Sequence, residues 1–135
     1  MESRRRFSHV IVVHQNDIDS LGHVNNAVYL RYIEDCVTAH AESVGMSLAR
    51  LRQLGVIPVV HRHTITYHRS ALLGDALEVS TEIVAFRSFR ATRHNRIFRA
   101  GVLLVECETD WVWIDPLRGR PKAVPDEVQK AFGLI

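Results

Sequence analysis

The segment Asn16-Asp17-Ile18-Asp19-Ser20-Leu21-Gly22-His23-Val24-Asn25-Asn26-Ala27-Val28-Tyr29 places two acids, a Gly-His pair and an Asn-Asn pair before a long amphipathic stretch. In that stretch, apolar residues recur mostly at intervals of three and four, which predicts a helix over about residues 25–44 with one buried face. The residues on this face are Tyr29, Ile33, Cys36, Val37, His40 and Val44. Asn25 or Asn26 can cap the start of the helix, and Gly45 suits its C-terminal cap.

The loop before this helix carries a carboxylate, Asp19, and an imidazole, His23. A helix N-terminus offers unpaired N–H groups and a partial positive charge, which would polarise a carbonyl oxygen placed there. This combination indicates an acyl-transfer site. The simpler alternative is that the Asp, Asn and Ser side chains only cap the helix and form a turn.

The pattern Asp17-x-Asp19-x-x-Gly22-His23-Val24-Asn25-Asn26-x-x-Tyr29 resembles the signature of the hot-dog-fold acyl thioesterases. Within them it is similar to the 4-hydroxybenzoyl-CoA thioesterase-like branch and to the plant acyl-carrier-protein thioesterases. The resemblance implies that Asp19 is the catalytic carboxylate and that an amide near Asn26 polarises the thioester carbonyl. It also makes Tyr29 a substrate-binding candidate.

His23 and Asn25 complete the catalytic candidates of this signature, His23 as a partner of Asp19 or a holder of the loop and Asn25 as the residue that fixes the helix start. The chain departs from the family at two positions. Plant relatives carry Asn where this chain has Leu21, so their Asp-Asn-His arrangement is incomplete here. Other bacterial relatives carry His or Tyr where this chain has Asn26.

The rest of the chain predicts strands, because apolar and polar residues alternate in segments bounded by turn residues. The predicted strands lie at about residues 7–14, 56–69, 76–86, 89–98 and 102–115. Short connections between the last four favour antiparallel pairing. One long helix on the apolar face of a five-stranded, mainly antiparallel sheet is an α+β arrangement. It agrees with the hot-dog fold that the resemblance implies, with residues 1–135 as a single domain.

Composition narrows the function classes. The chain has 135 residues, 47% of them hydrophobic, and a net charge of +2, which gives no argument for a nucleic-acid partner or a membrane partner. The basic N-terminal stretch Met1–Arg6 does not read as a signal peptide, and no apolar run has the length of a membrane span. We therefore expect a cytoplasmic protein that needs no cofactor.

His61 and His63 lie two residues apart in the second predicted strand, where Val59, His61, His63, Ile65 and Tyr67 are expected to share one face. Both imidazoles could reach one ligand, but no third metal ligand is placed by spacing, so no metal site is predicted. We expect His61 and His63 to line a substrate groove or to lie at a subunit interface.

A basic segment contains Arg87, Arg90, Arg93, Arg96 and Arg99 and no acid. One interpretation is a solvated face that balances Glu residues on neighbouring strands. The other is a cradle for the phosphates of coenzyme A, because arginine pairs bidentately with phosphate. In the second case Arg87, Ser88 and Arg90 are the expected contacts.

The sequence thus predicts an acyl-CoA thioesterase, with an acyl-carrier-protein thioesterase and a non-catalytic acyl-CoA-binding protein as alternatives. A hot-dog dehydratase is disfavoured, since those relatives space their Asp and His differently. A sheet wrapped on one helix leaves exposed edges, so we expect a homodimer or homotetramer with sites at subunit junctions.

Overall fold

In the computed structural model, which describes residues 3–135, five antiparallel strands form a sheet in the order β1-β3-β4-β5-β2. The strands are β1 (Arg6–Val12), β2 (Ile57–Tyr67), β3 (Ala76–Arg87), β4 (Arg90–Arg99) and β5 (Val102–Ile114). The helices are α1 (Asn26–Ser43), α2 (Leu48–Gln53) and α3 (Asp126–Ala131). Of the basic N-terminal stretch, Met1 and Glu2 lie outside the described residues.

Helix α1 packs on the inner face of the sheet, as its periodicity predicts. Its buried residues are Tyr29, Tyr32, Ile33, Cys36 and His40. Between them and the sheet lies an apolar core to which β3 contributes Leu77 and Val79 and β5 contributes Val105. The predicted α+β arrangement of one long helix on a five-stranded antiparallel sheet is therefore confirmed.

Strand β2 departs from simple alternation. Its register with β5 shifts between Val60 and Arg62, so His61 occupies a β-bulge. A bulged residue has no partner of its own on the neighbouring strand, and the side chains on either side of it exchange faces. The predicted single face from Val59 to Tyr67 is therefore wrong at its N-terminal end.

The two sheet edges are β1 and β2, and each pairs with a single strand among residues 3–135. The β2 edge is long, running over eleven residues from Ile57 to Tyr67. Along residues 3–135, no helix combines the length and the apolar character needed to cross a membrane.

Candidate active site

The loop between β1 and α1 is held by backbone hydrogen bonds. Ile18 and Val24 form an antiparallel bridge, and the Asp19 amide donates to the His23 carbonyl at 2.9 Å. The Gly22 amide donates to the Asp19 carbonyl at 3.1 Å, with Gly22 at a φ of 81°. Side chains with a Cβ are strained at such a φ, which explains the glycine. The loop therefore turns back on itself and presents Asp19 beside the start of α1.

Asp17 is the buried anchor of this loop, with 3% of its surface exposed. Its carboxylate accepts hydrogen bonds from the Tyr32 hydroxyl at 2.7 Å, from the His14 amide at 3.2 Å and from the Arg31 guanidinium. Burial alone would raise the pKa of Asp17, but the hydrogen bonds from Tyr32 and Arg31 outweigh it and hold the pKa below its usual value. Asp17 is therefore a fully engaged structural carboxylate.

Asp19 differs from Asp17 in that one of its oxygens remains free. Its Oδ1 accepts from the Leu21 amide at 2.9 Å, while Oδ2 has no hydrogen-bond partner among residues 3–135. Burial raises the pKa of Tyr29, and the negative charge of Asp19 adds to that increase. Of the two acids in the signature, Asp19 is the one with an oxygen available for chemistry.

Some of the backbone N–H groups at the start of α1 are used by the helix cap, and one is free within residues 3–135. Asn25 is the N-cap, and its Oδ1 accepts from the Ala27 amide at 2.9 Å. The Asn25 carbonyl accepts from the Val28 amide at 2.9 Å, and the Asn25 amide donates to the Asp17 carbonyl at 2.8 Å. In the described part of the chain, the Asn26 amide has no acceptor. Asn26 therefore supplies the free donor at the helix N-terminus, and Asn25 holds the helix start.

Three further candidates make no side-chain hydrogen bond to Asp19 within residues 3–135 of one protomer. The His23 side chain is exposed and makes no hydrogen bond within residues 3–135, to Asp19 or otherwise. The Tyr29 hydroxyl is buried and accepts from the Ala71 amide at 2.9 Å, so Tyr29 holds the loop after β2. His61 is exposed at the bulge.

Sequence reasoning missed the role of Tyr67 at the end of β2. Its hydroxyl donates to the Asn26 carbonyl at 2.9 Å, and its ring packs against Tyr29 with centroids 5.6 Å apart. These contacts tie the C-terminal end of β2 to the first turn of α1. The alternation of β2 placed Tyr67 on the same face as His63 and Ile65, but only the docking of α1 shows that its hydroxyl reaches a helix terminus.

His63 belongs to a polar cluster beneath α1. Its Nδ1 lies 2.8 Å from the Thr109 hydroxyl, and its Nε2 lies 3.7 Å from a Glu34 carboxylate oxygen. His61, two residues earlier, shares neither contact. The two imidazoles therefore do not converge on one ligand, and no cluster of three metal-ligating side chains occurs within the described chain.

Arg87, Ser88 and Arg90 lie at the β3–β4 hairpin, at the opposite end of the sheet from Asn26. Arg87 pairs with Arg90 across the turn, and Ser88 adopts a φ of 55°. Arg87 and Arg90 are exposed, and Arg90 stacks over Phe89. Within one protomer the structure therefore does not bring these residues to Asp19.

The other arginines of the basic segment have separate roles. Arg99 forms an ion pair with Asp75 at 2.7 Å, and Arg96 is exposed on the outer face. Arg93 is buried, with 5% of its surface exposed. The five arginines therefore form neither one solvated face nor one cradle, because their side chains point to both faces of β4.

The chain is similar in sequence to known thioesterases. A profile of the Thioesterase-like superfamily matches residues 13–132. The acyl-CoA thioester hydrolase YbgC of Escherichia coli O6:H1 is 33% identical over 121 residues, covering 89% of this chain and 90% of that protein.

Solved structures give the same fold. A hypothetical protein from Thermus thermophilus superposes with a TM-score of 0.87 at 26% identity, covering 95% of this chain and 98% of that one. A hypothetical protein from Staphylococcus aureus, solved in complex with CoA, superposes with a TM-score of 0.90 at 22% identity, covering 99% and 85%. These likenesses agree with the hot-dog architecture expected from the sequence.

Proposed function

Because the chain belongs to the Thioesterase-like superfamily and is a thioester hydrolase of the hot-dog fold, we propose that it hydrolyses acyl-CoA thioesters at the loop before α1. The observation that carries this proposal is the pairing of a free Asp19 carboxylate oxygen with a free Asn26 amide. The name of the YbgC relative supports CoA as the thiol carrier.

In the proposed reaction, the thioester carbonyl oxygen accepts a hydrogen bond from the Asn26 amide. The positive end of the α1 dipole adds to this polarisation. As negative charge builds on the oxygen in the tetrahedral transition state, the hydrogen bond strengthens. The amide is preorganised because Asn25 caps the helix and Tyr67 binds the Asn26 carbonyl.

Asp19 acts on the carbonyl carbon through Oδ2 by one of two routes. As a general base, it takes a proton from a water that attacks the carbon, and the C–S bond then breaks to release CoA. As a nucleophile, it forms a mixed anhydride and releases CoA, and water then hydrolyses the anhydride. Both routes use the same free oxygen. Leu21 holds the other oxygen in place in either case.

The proposed site lies at a junction between two protomers. Symmetric, antiparallel pairing of two β2 edges sets the Tyr67 end of one strand beside the Ile57 end of the other. The Ile57 end carries a groove of about 430 Å³ between α1, α2 and β2, lined mainly by apolar residues that include Val37, Leu51 and Val60. Pairing through β2 would therefore place Asn26 of one protomer beside an acyl-sized groove of its partner.

We expect this pairing in solution, because a long unpaired strand edge is a site for association. Light scattering at micromolar concentration should give at least the mass of a dimer. Two variants, Asp19→Asn and a groove-blocking Val37→Trp, should each have low activity alone. Mixed and refolded together, they should regain activity, since some heterodimers then hold one intact site. A monomeric mass would contradict a site at a subunit junction. So would a mixed sample that forms dimers but recovers no activity.

The same pairing would bring the partner's β3–β4 hairpin to the end of the sheet where Asn26 lies. Arg90 pairs with Val112 on β5, and Val112 pairs with Val59 on β2. The hairpin arginines therefore stand at the Ile57 end of their own sheet, the end that would face the partner's site. This position supports Arg87 and Arg90 as contacts for the phosphates of CoA.

Arg87→Ala and Arg90→Ala are expected to raise KM about tenfold while lowering kcat much less, because loss of a phosphate contact weakens substrate binding without touching the reacting atoms. High salt should mimic the substitutions, since these side chains are exposed. Arg96→Ala on the outer face is the matched control. An unchanged KM in both hairpin variants would show that Arg87 and Arg90 are solvated surface residues that do not bind CoA.

A panel of thioesters tests the proposed function as a whole. Release of free thiol is measured for matched acyl groups on CoA and on an acyl carrier protein. A larger kcat/KM for the CoA thioesters than for the matching acyl-carrier-protein thioesters supports the proposal. Preference for the carrier protein would favour the second enzyme class, and binding without turnover across the panel would indicate an acyl-CoA-binding protein.

A further inference from the structure

A cationic side chain lies inside the apolar layer between the helices and the sheet. Arg93 on β4 is 5% exposed and borders a small cavity of about 40 Å³. The cavity is otherwise lined by apolar and aromatic side chains, among them Ile83, Phe86, Trp113 and Phe132. Burial lowers the pKa of Arg93 to about 10, so the guanidinium keeps its charge at neutral pH.

This charge has no anionic partner in the described chain. Arg93 Nη1 donates to His40 Nδ1 at 2.8 Å and to the Thr81 hydroxyl at 3.2 Å. No Asp or Glu of residues 3–135 forms an ion pair with it, and its Nε and Nη2 groups have no acceptor there. His40 cannot compensate the charge as an anion would, because its imidazole is neutral. The guanidinium carbon lies 5.7 Å from the centroid of the Phe132 ring, a cation–π contact that carries no negative charge. A buried charge without an anion is costly, and a bound anion would offset that cost.

A second unpaired donor belongs to a residue that lines the same cavity. The indole Nε1 of Trp111 on β5 is buried and has no acceptor among residues 3–135. Buried polar groups normally have partners, so such a group calls for an explanation. The free groups here are all donors, one of them charged. Their complement is an acceptor that carries negative charge, and a carboxylate has the planar shape that a guanidinium binds.

The cavity is adjacent to the surface groove that the proposed function assigns to the acyl chain. Val37, Ala41, Leu51, Pro58 and Trp111 line both. The cavity has room for a small polar head group but not for an alkyl chain. The groove, at about 430 Å³, has the volume for the chain. The walls shared by the groove and the cavity put the far end of an acyl chain bound in the groove within reach of the Arg93 cavity.

We propose that Arg93, assisted by Trp111, binds a carboxylate at the far end of the acyl chain, so that the preferred substrates are thioesters of dicarboxylic acids. This inference rests on the proposed function, because it deepens the assignment of that site. The same cavity chemistry would also take the carboxylate of a free carboxylic acid. The experiment separates these two sources.

The kinetic arm compares thioesters of equal chain length with and without a terminal carboxylate: succinyl- and butanoyl-CoA, adipoyl- and hexanoyl-CoA, suberoyl- and octanoyl-CoA. At the best-fitting length, the wild-type protein should favour the carboxylate by about tenfold or more in kcat/KM, as expected for a charged hydrogen bond formed in a buried site. Arg93→Met should abolish or reverse this preference. Arg96→Met, which removes an exposed arginine from the same strand, should preserve it.

Trp111→Phe is the second variant, because it removes the indole N–H without leaving His40 or Thr81 short of a donor. It should reduce the preference for the carboxylate by a few fold and keep the fold. Preference for the uncharged thioester at every length in the wild-type protein would overturn the proposal. A preference for the carboxylate that survives in both Arg93→Met and Trp111→Phe would overturn it too.

The binding arm does not depend on turnover. Adipate and suberate should raise the melting temperature of the wild-type protein and of Arg96→Met, but not that of Arg93→Met. If no thioester is hydrolysed, the proposed function fails, while this arm still decides whether the cavity binds a carboxylate. Stabilisation by free acids without any kinetic preference would show that the cavity takes free carboxylic acids, which would overturn the substrate assignment.

Discussion

Asp19→Asn is expected to lower kcat for acyl-CoA hydrolysis by about a hundredfold or more, with little change in KM. The substitution keeps the shape of the side chain and the hydrogen bond from the Leu21 amide, but it removes the basic, nucleophilic Oδ2. The fold should survive, because an Asn can serve the same turn. The rate of free CoA release at several substrate concentrations gives kcat and KM. The melting temperature of the variant, compared with the wild-type value, shows whether the fold survives.

Asp17→Asn is the matched control, and it should show the opposite profile. Its carboxylate is engaged by Tyr32, Arg31 and the His14 amide, so the neutral amide should cost stability. The loss should be about 1.5–3 kcal/mol, the range for hydrogen bonds to a charged group. The kcat of the folded fraction should fall much less than in Asp19→Asn. The reverse ranking would show that Asp17 is the catalytic carboxylate.

The second large effect concerns His40 and the pH dependence of stability. His40 is 1% exposed, and burial together with the charge of Arg93 lowers its pKa from 6.5 to about 4. The unfolded chain therefore binds a proton at a higher pH than the folded chain does. Stability is fully present above a pH of 6.5 and is lost as the pH falls toward about 4. The shift corresponds to a loss of about 3 kcal/mol.

Urea unfolding across this pH range measures the loss. His40→Gln should remove most of the slope, because Gln can still accept from Arg93 and donate to the Arg4 carbonyl without titrating. His94→Gln, at a half-exposed imidazole on the outer face, is the control and should keep the slope. A wild-type free energy of unfolding that stays flat over the range would contradict a neutral, buried His40.

Features that depend on neighbouring residues were predictable from the sequence. The period of α1 identified its buried face, and the fixed spacing of the signature placed Asp19 before a helix N-terminus. These patterns succeed because a helix or strand exposes one side to water along its whole length. Even so, the burial of Tyr32 was missed, because a polar hydroxyl is expected at the surface unless a partner such as Asp17 is known to bind it.

Features that depend on pairing between distant segments were not predictable. The bulge at His61 follows from the register of β2 against β5, which no local pattern encodes. The burial of Arg93 contradicts the usual exposure of arginine, and it depends on His40, 53 residues away. Tyr67 reaches Asn26 across 41 residues. Such contacts arise only once the helix has docked on the sheet.

The most direct test of the account is a crystal structure of the wild-type protein with a ketone analogue of an acyl-CoA, in which a methylene replaces the thioester sulfur. We predict that the ketone oxygen lies within hydrogen-bond distance of the Asn26 amide and that Asp19 Oδ2 lies beside the carbonyl carbon, with the acyl chain in the partner's groove. A ketone bound away from the N-terminus of α1, or an Asp19 carboxylate turned away from it, would contradict the account.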